Sequence, residues 1–97
     1  MKAVFIAYNQ AFQEEILDIL NKTGLRGYTC WEQVTGRGSY RGEPHLGDHA
    51  WPTLNSSMLC IVEEERLKDF MRRLKELDEA NAAMGLRAFS WNIEGTI

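Results

Sequence analysis

His45, Asp48 and His49 fall within one short stretch, with Glu43 close by. Imidazole nitrogens beside a carboxylate suit zinc, copper, nickel or cobalt, the choice being set by geometry and metal availability. Residues 45 and 49 face the same way only on a helix, and Gly47 between them disfavours a stable helical turn. A metal site here therefore requires a loop that folds the pair together, aided by a neighbouring copy of the chain. The plainer alternative is two solvated histidines.

The same stretch offers two other chemistries. Gly36-Arg37-Gly38-Ser39 can turn backbone amides toward an anion, with Arg37 and Arg41 adding charge. It is no Walker motif and opens no helix, and its glycines also suit a chain leaving a strand at positive φ. Trp51 beside Pro52 is a candidate anchor for a protein partner, held extended by the proline, or else a residue that packs on its own assembly. No Ser-His-Asp, Cys-His or paired-carboxylate pattern stands out, so catalysis is not expected.

The elements around this stretch are more regular. Lys2 to Tyr8 is short, rich in β-formers and apolar without alternation, which predicts a strand covered on both faces. Asn9 can cap a helix running to about Lys22, and Gly24 stands where a left-handed residue closes one. A second strand follows, with Tyr28, Cys30 and Val34 on one face and Thr29 and Trp31 on the other. A third strand spans about Ser56 to Val62. The next helix carries Leu67, Phe70, Met71, Leu74 and Leu77 as its apolar stripe. Its pairs Glu64/Lys68 and Asp69/Arg73 lie four apart on the solvent side, and its carboxylates read as a wet face. "LRAFSWNI" makes a fourth strand.

The order β-α-β-β-α-β is that of ferredoxin-like α+β domains, a four-stranded antiparallel sheet with two helices on one face. The uncovered face should be polar, yet Val4-Phe5-Ile6, Cys30-Trp31 and Met58-Leu59-Cys60-Ile61 point apolar groups both ways. A second layer supplied by other subunits resolves the conflict, so the chain is expected to form a homo-oligomer. A chain of 97 residues with 44% hydrophobic content supports one core. Its net charge of −3 gives no general reason to bind nucleic acid or an anionic membrane. The first apolar run is too short for a signal-peptide core or a transmembrane helix, so a cytoplasmic location without membrane insertion is expected. Cys30 and Cys60 fit no zinc spacing and read as reduced, buried thiols.

Gly24-Leu25-Arg26-Gly27-Tyr28-Thr29, Glu32 and Gly36-Arg37-Gly38 resemble one segment of the PII signalling proteins. In that family the first helix ends there, the second strand runs, and a Gly-x-Gly opens the long T-loop. "VEEERLKDFMRRLKEL" is similar to the second PII helix, and the element order agrees along nearly the whole chain. The trimeric protein CutA shares the architecture. The resemblance implies a single domain over residues 1–97, a T-loop at about 37–54 and a homotrimer with its sheets facing inward. It also implies a nucleotide held between subunits by Gly36, Arg37, Gly38 and Arg87. The T-loop would dock on a transporter or enzyme, with Tyr40, Arg41 and Trp51 as contacts. Tyr40 replaces the family's usual glutamine, and "ANAAMGLRAF" keeps only Gly85 and Arg87 of the phosphate-holding loop.

Two functions therefore stay open. One is a PII-like regulator sensing a small ligand such as an adenine nucleotide. The other is a divalent-metal-binding protein of CutA-like role, linked to heavy-metal efflux. The second predicts zinc or copper binding that weakens below about pH 6, as imidazole protonates. Calorimetry of a His45→Ala/His49→Ala double mutant should then show no binding; unchanged affinity removes these ligands from consideration.

Overall fold

The computed structural model describes residues 1–25, 27–36 and 54–97. Strand β1 (Lys2–Asn9) leads through a short 3-10 turn (Gln10–Phe12) into helix α1 (Gln13–Lys22). Strands β2 (Tyr28–Val34) and β3 (Asn55–Val62) follow, then helix α2 (Glu64–Ala80), a second 3-10 turn (Ala82–Met84) and strand β4 (Arg87–Asn92). The four strands form one antiparallel sheet in the order β2-β3-β1-β4. This is the ferredoxin-like α+β arrangement that the sequence pattern predicts.

Alternation along the two central strands fixes what each face holds. Val4, Ile6 and Tyr8 of β1 and Met58, Cys60 and Val62 of β3 point to the helices and are fully enclosed. Phe12, Ile16 and Leu20 come down on them from the α1 side, and Phe70 and Leu74 from α2. Leu67, Met71 and Leu77 pack at the margin of this core, so the whole predicted α2 stripe faces it. Register places Trp31, Leu59, Phe5, Phe89, Ile61 and Trp91 on the opposite face. There Trp31 is 47%, Ile61 47%, Phe89 58% and Trp91 50% exposed. An isolated chain thus presents a broad aromatic and aliphatic surface, which is the two-sided pattern read from the sequence.

One prediction about this face was wrong. Val34 does not share a face with Cys30. The β2–β3 register shifts between Trp31 and Val34, so Val34 pairs with Asn55 where simple alternation would place Gln33. The extra residue is a β-bulge, and it turns Val34 to the same side as Trp31. Its geometry is held from both sides of the chain. The Glu32 carbonyl accepts hydrogen bonds from Ser56 Oγ at 2.6 Å and from Gln10 Nε2.

The helix ends follow their sequence signals. Asn9 Oδ1 accepts the Ala11 N–H at 2.9 Å, although it caps the 3-10 turn and α1 begins only at Gln13. At the far end Leu25 N–H reaches Leu20 O at 2.8 Å and Gly24 N–H reaches Asn21 O at 3.1 Å. These two bonds form a Schellman closure, with Gly24 at φ +74°. The Arg66 guanidinium of α2 lies over this glycine and donates to Thr23 O at 2.9 Å. A cation there also meets the negative end of the α1 dipole. On the α2 surface, Arg73 Nε pairs with Asp69 at 3.0 Å as expected. Glu64, however, lies 3.8 Å from Lys2 of β1 and is not paired with Lys68, because the sheet brings a closer cation to it.

Gly24→Ala is therefore expected to destabilise twice over. A side chain at this φ is strained by roughly 1–2 kcal/mol, and its Cβ would collide with the Arg66 guanidinium. Urea denaturation followed by circular dichroism should show a loss of at least that size, while Gly27→Ala, which meets nothing, should change little.

Candidate functional site

A cleft of about 400 Å³ opens on the outer sheet face beside the bulge. The end of β2 supplies Val34, Thr35 and Gly36 along one wall, and Gly85 and Arg87 lie on the opposite side. The floor is the sheet itself, with Phe5, Ala7, Ser57 and Phe89. The bulge is what aims Val34 into this space. Gly85 closes the second 3-10 turn at φ +74°, a conformation that delivers the chain into β4 with Arg87 at the strand's first position. The Arg87 side chain is exposed, and among the described residues its Nη1 makes only a long bond to Leu86 O at 3.3 Å.

The cleft combines a largely apolar interior with two glycine-lined backbone stretches and one exposed guanidinium. Such a mixture suits a ligand with a flat apolar body and an anionic group, since arginine matches phosphate and carboxylate in planar, bidentate fashion. Gly36 and Arg87, which the family resemblance assigns to one ligand site, both line this space. Phe5, Val34 and Phe89 were not foreseen here: Phe5 and Phe89 read only as sheet residues, and Val34 was assigned to the other face. Arg37, Gly38, Tyr40, Arg41, His45, Asp48, His49 and Trp51 lie outside the described residues. Among the described residues no three His, Cys, Asp or Glu side chains gather as a metal site would require.

Behind the sheet, Tyr8 is the main buried polar group. Its hydroxyl bonds to Gln13 Oε1 and lies 3.5 Å from Cys30 Sγ. Burial first, and then the neighbouring Cys30, hold its proton well above the ordinary tyrosine range. Burial likewise pushes the Cys60 thiol from the ordinary 9.0 up to about 12, with a smaller contribution from Cys30. Both groups favour the protonated form and are not primed as nucleophiles.

The matching family model describes the nitrogen regulatory protein P-II and spans residues 1–97. The chain belongs to that family, whose members are regulatory proteins, and within it the chain is a divergent PII-like protein. Solved structures agree on the fold. The nitrogen regulatory PII-like protein CPII from Thiomonas intermedia K12, bound to ADP, AMP and bicarbonate, superposes with a TM-score of 0.79 at 22% identity. That match covers 95% of this chain and 84% of CPII. A PII-like signalling protein from Thermus thermophilus matches with a TM-score of 0.67 at 23% identity, covering 95% of this chain and 85% of its own. No curated protein matches the sequence. Among the described residues no helix is long and apolar enough to cross a membrane.

The raised Cys60 value has a testable sign. The folded state holds the thiol proton more tightly than the unfolded chain, so this contribution is complete below about pH 9 and is lost as pH climbs toward about 12. Unfolding free energy from urea melts should fall between about pH 9 and pH 10, by up to about 1 kcal/mol. A Cys60→Ala variant, less stable at every pH, should show a shallower decline over the same interval.

Proposed function

We infer that this PII-like protein is a homotrimeric sensor of an adenine nucleotide that signals to a transporter or enzyme through a T-loop at about residues 37–54. The observation that carries the reading is the cleft shared by Gly36, Gly85 and Arg87. It lies at the end of β2, where the chain enters that segment, so a ligand bound there would touch the base of the signalling arm. Phe5, Val34 and Phe89 offer apolar surface to a base, and Arg87 offers charge to a phosphate. CPII, of the same fold, is a protein bound to ADP, AMP and bicarbonate, which supports this ligand class.

The outer sheet face supports the trimer. Three copies turned inward would cover Trp31, Ile61, Phe89 and Trp91 and remove the cost of exposing them. A shallow depression at the β2 edge, lined by Tyr28, Thr29, Leu59 and Ile61, lies on this same side of the sheet. A neighbouring copy that brings this edge to the cleft would close it over the ligand, making binding and assembly mutually supportive.

Calorimetry with ADP tests the ligand, and light scattering tests the assembly. ADP is expected to bind saturably to the full chain, and Arg87→Ala to weaken it about tenfold, the usual loss for one charge-assisted hydrogen bond. The mass should be three times 11.2 kDa, falling toward one copy in Ile61→Lys. Absence of ADP binding, or a monomer at micromolar concentration, overturns the corresponding half. Deletion of residues 39–50 should abolish capture of the protein partner while leaving the trimer intact.

A further inference from the structure

A second cleft lies on the other side of β4, between that edge strand and helix α2. Its volume is about 450 Å³, within the roughly 300–1,000 Å³ range of small-molecule sites. Met71, Leu74, Leu86 and Ala88 make an apolar floor. At its end, near the C-terminus of α2, it contains Asp78, Lys75 and Arg87. Lys68 and Arg72 line it further back along the helix, where Arg72 is already bonded to Asp69 and Glu76.

Asp78 is the anomaly. Its Oδ1 is enclosed, yet it accepts no hydrogen bond from any described residue. An enclosed carboxylate oxygen without a donor is unfavourable, and a small turn of the Asp78 side chain toward an N–H in the cleft would relieve it. One helical turn away on the same element is the Lys75 ammonium, which reaches Glu79 only at 3.9 Å. Across the cleft is Arg87, whose guanidinium, among the described residues, has just the long bond to its neighbour's carbonyl. An unsatisfied acceptor thus shares the cleft with two cations whose partners among the described residues are weak, above a floor of aliphatic side chains.

We propose that the α2–β4 cleft is a binding site for a free amino acid with an apolar side chain. The ligand's ammonium donates to the Asp78 carboxylate and its carboxylate meets Arg87 and Lys75. Its side chain lies along Met71, Leu74, Leu86 and Ala88. The charges are complementary in sign and order, which neither a plain fatty acid nor a plain amine reproduces. The assignment stands independently of the nucleotide reading, since Asp78, Lys75 and the floor take no part in the outer cleft. Arg87 alone lines both.

Calorimetry on the full chain with L-leucine, L-methionine and L-phenylalanine tests it, with isocaproate and isoamylamine as partial probes. At least one of the three amino acids is expected to bind saturably. Isocaproate lacks the ammonium and isoamylamine lacks the carboxylate, so each should bind about tenfold or more weakly than L-leucine. Asp78→Asn should weaken amino-acid binding by a similar factor while its melting temperature holds or rises, because the enclosed oxygen then belongs to a neutral amide of the same shape. Saturation by none of the three amino acids overturns the proposal. So does amino-acid binding unchanged in Asp78→Asn, or partial probes that bind as tightly as L-leucine. Loss of ADP binding leaves this outcome untouched, and the two readings therefore fail separately.

Discussion

The fold hangs on the pairing of β1 with a strand on each side. All eight of its residues from Lys2 to Asn9 are paired with β3, and those from Lys2 to Ala7 are also paired with β4. With both backbone edges satisfied, the strand can be buried on its helix side without orphaned polar groups, and Val4, Ile6 and Tyr8 are at zero exposure. The two helices pack on that row and on each other, with Arg66 tying the start of α2 to the end of α1. The outer cleft inherits its floor from the same strand, through Phe5 and Ala7. Core, helix placement and cleft are thus consequences of one doubly paired strand.

Much of this was legible because the signals were local. Gly24 announced a left-handed closure, Leu67 to Leu77 announced a buried stripe, and the unbroken apolar run at Val4-Phe5-Ile6 announced a strand with two faces to cover. What stayed hidden depended on partners distant in sequence. Glu32 and Gln33 are both polar, so nothing in their order reveals where alternation breaks, and Val34 was assigned to the wrong face. Glu64 pairs with Lys2 because the start of β1 and the start of α2 meet in space, although Lys68 is the nearer residue along the helix. Asp78 looked like one more carboxylate on a wet face. Its enclosure is visible only once β4 is laid beside α2.

The two clefts show how a thin sheet edge can serve two environments. Arg87 is the first residue of β4, delivered by Gly85, and it borders the space on either side of the strand. Its backbone position belongs to the outer row, opposite Ala7, while its neighbours Leu86 and Ala88 belong to the core side. A guanidinium placed this way can give its full charge to one anion at a time. Ligands on opposite sides that both call on it must influence each other's affinity, and by the same factor in both directions.

The bulge in β2 has a different kind of consequence, one of parity. Alternation in a strand is a count of odd and even, and the extra residue between Trp31 and Val34 changes that count for everything downstream. Removing a single residue there would alter no side chain that follows, yet it would turn Val34 and the glycine beyond it toward the helices. The structural constraint on this short stretch therefore lies in its length as well as its letters. Substitutions at Gln33 leave the count intact, whereas an insertion or deletion of one reverses which side of the sheet the chain departs from.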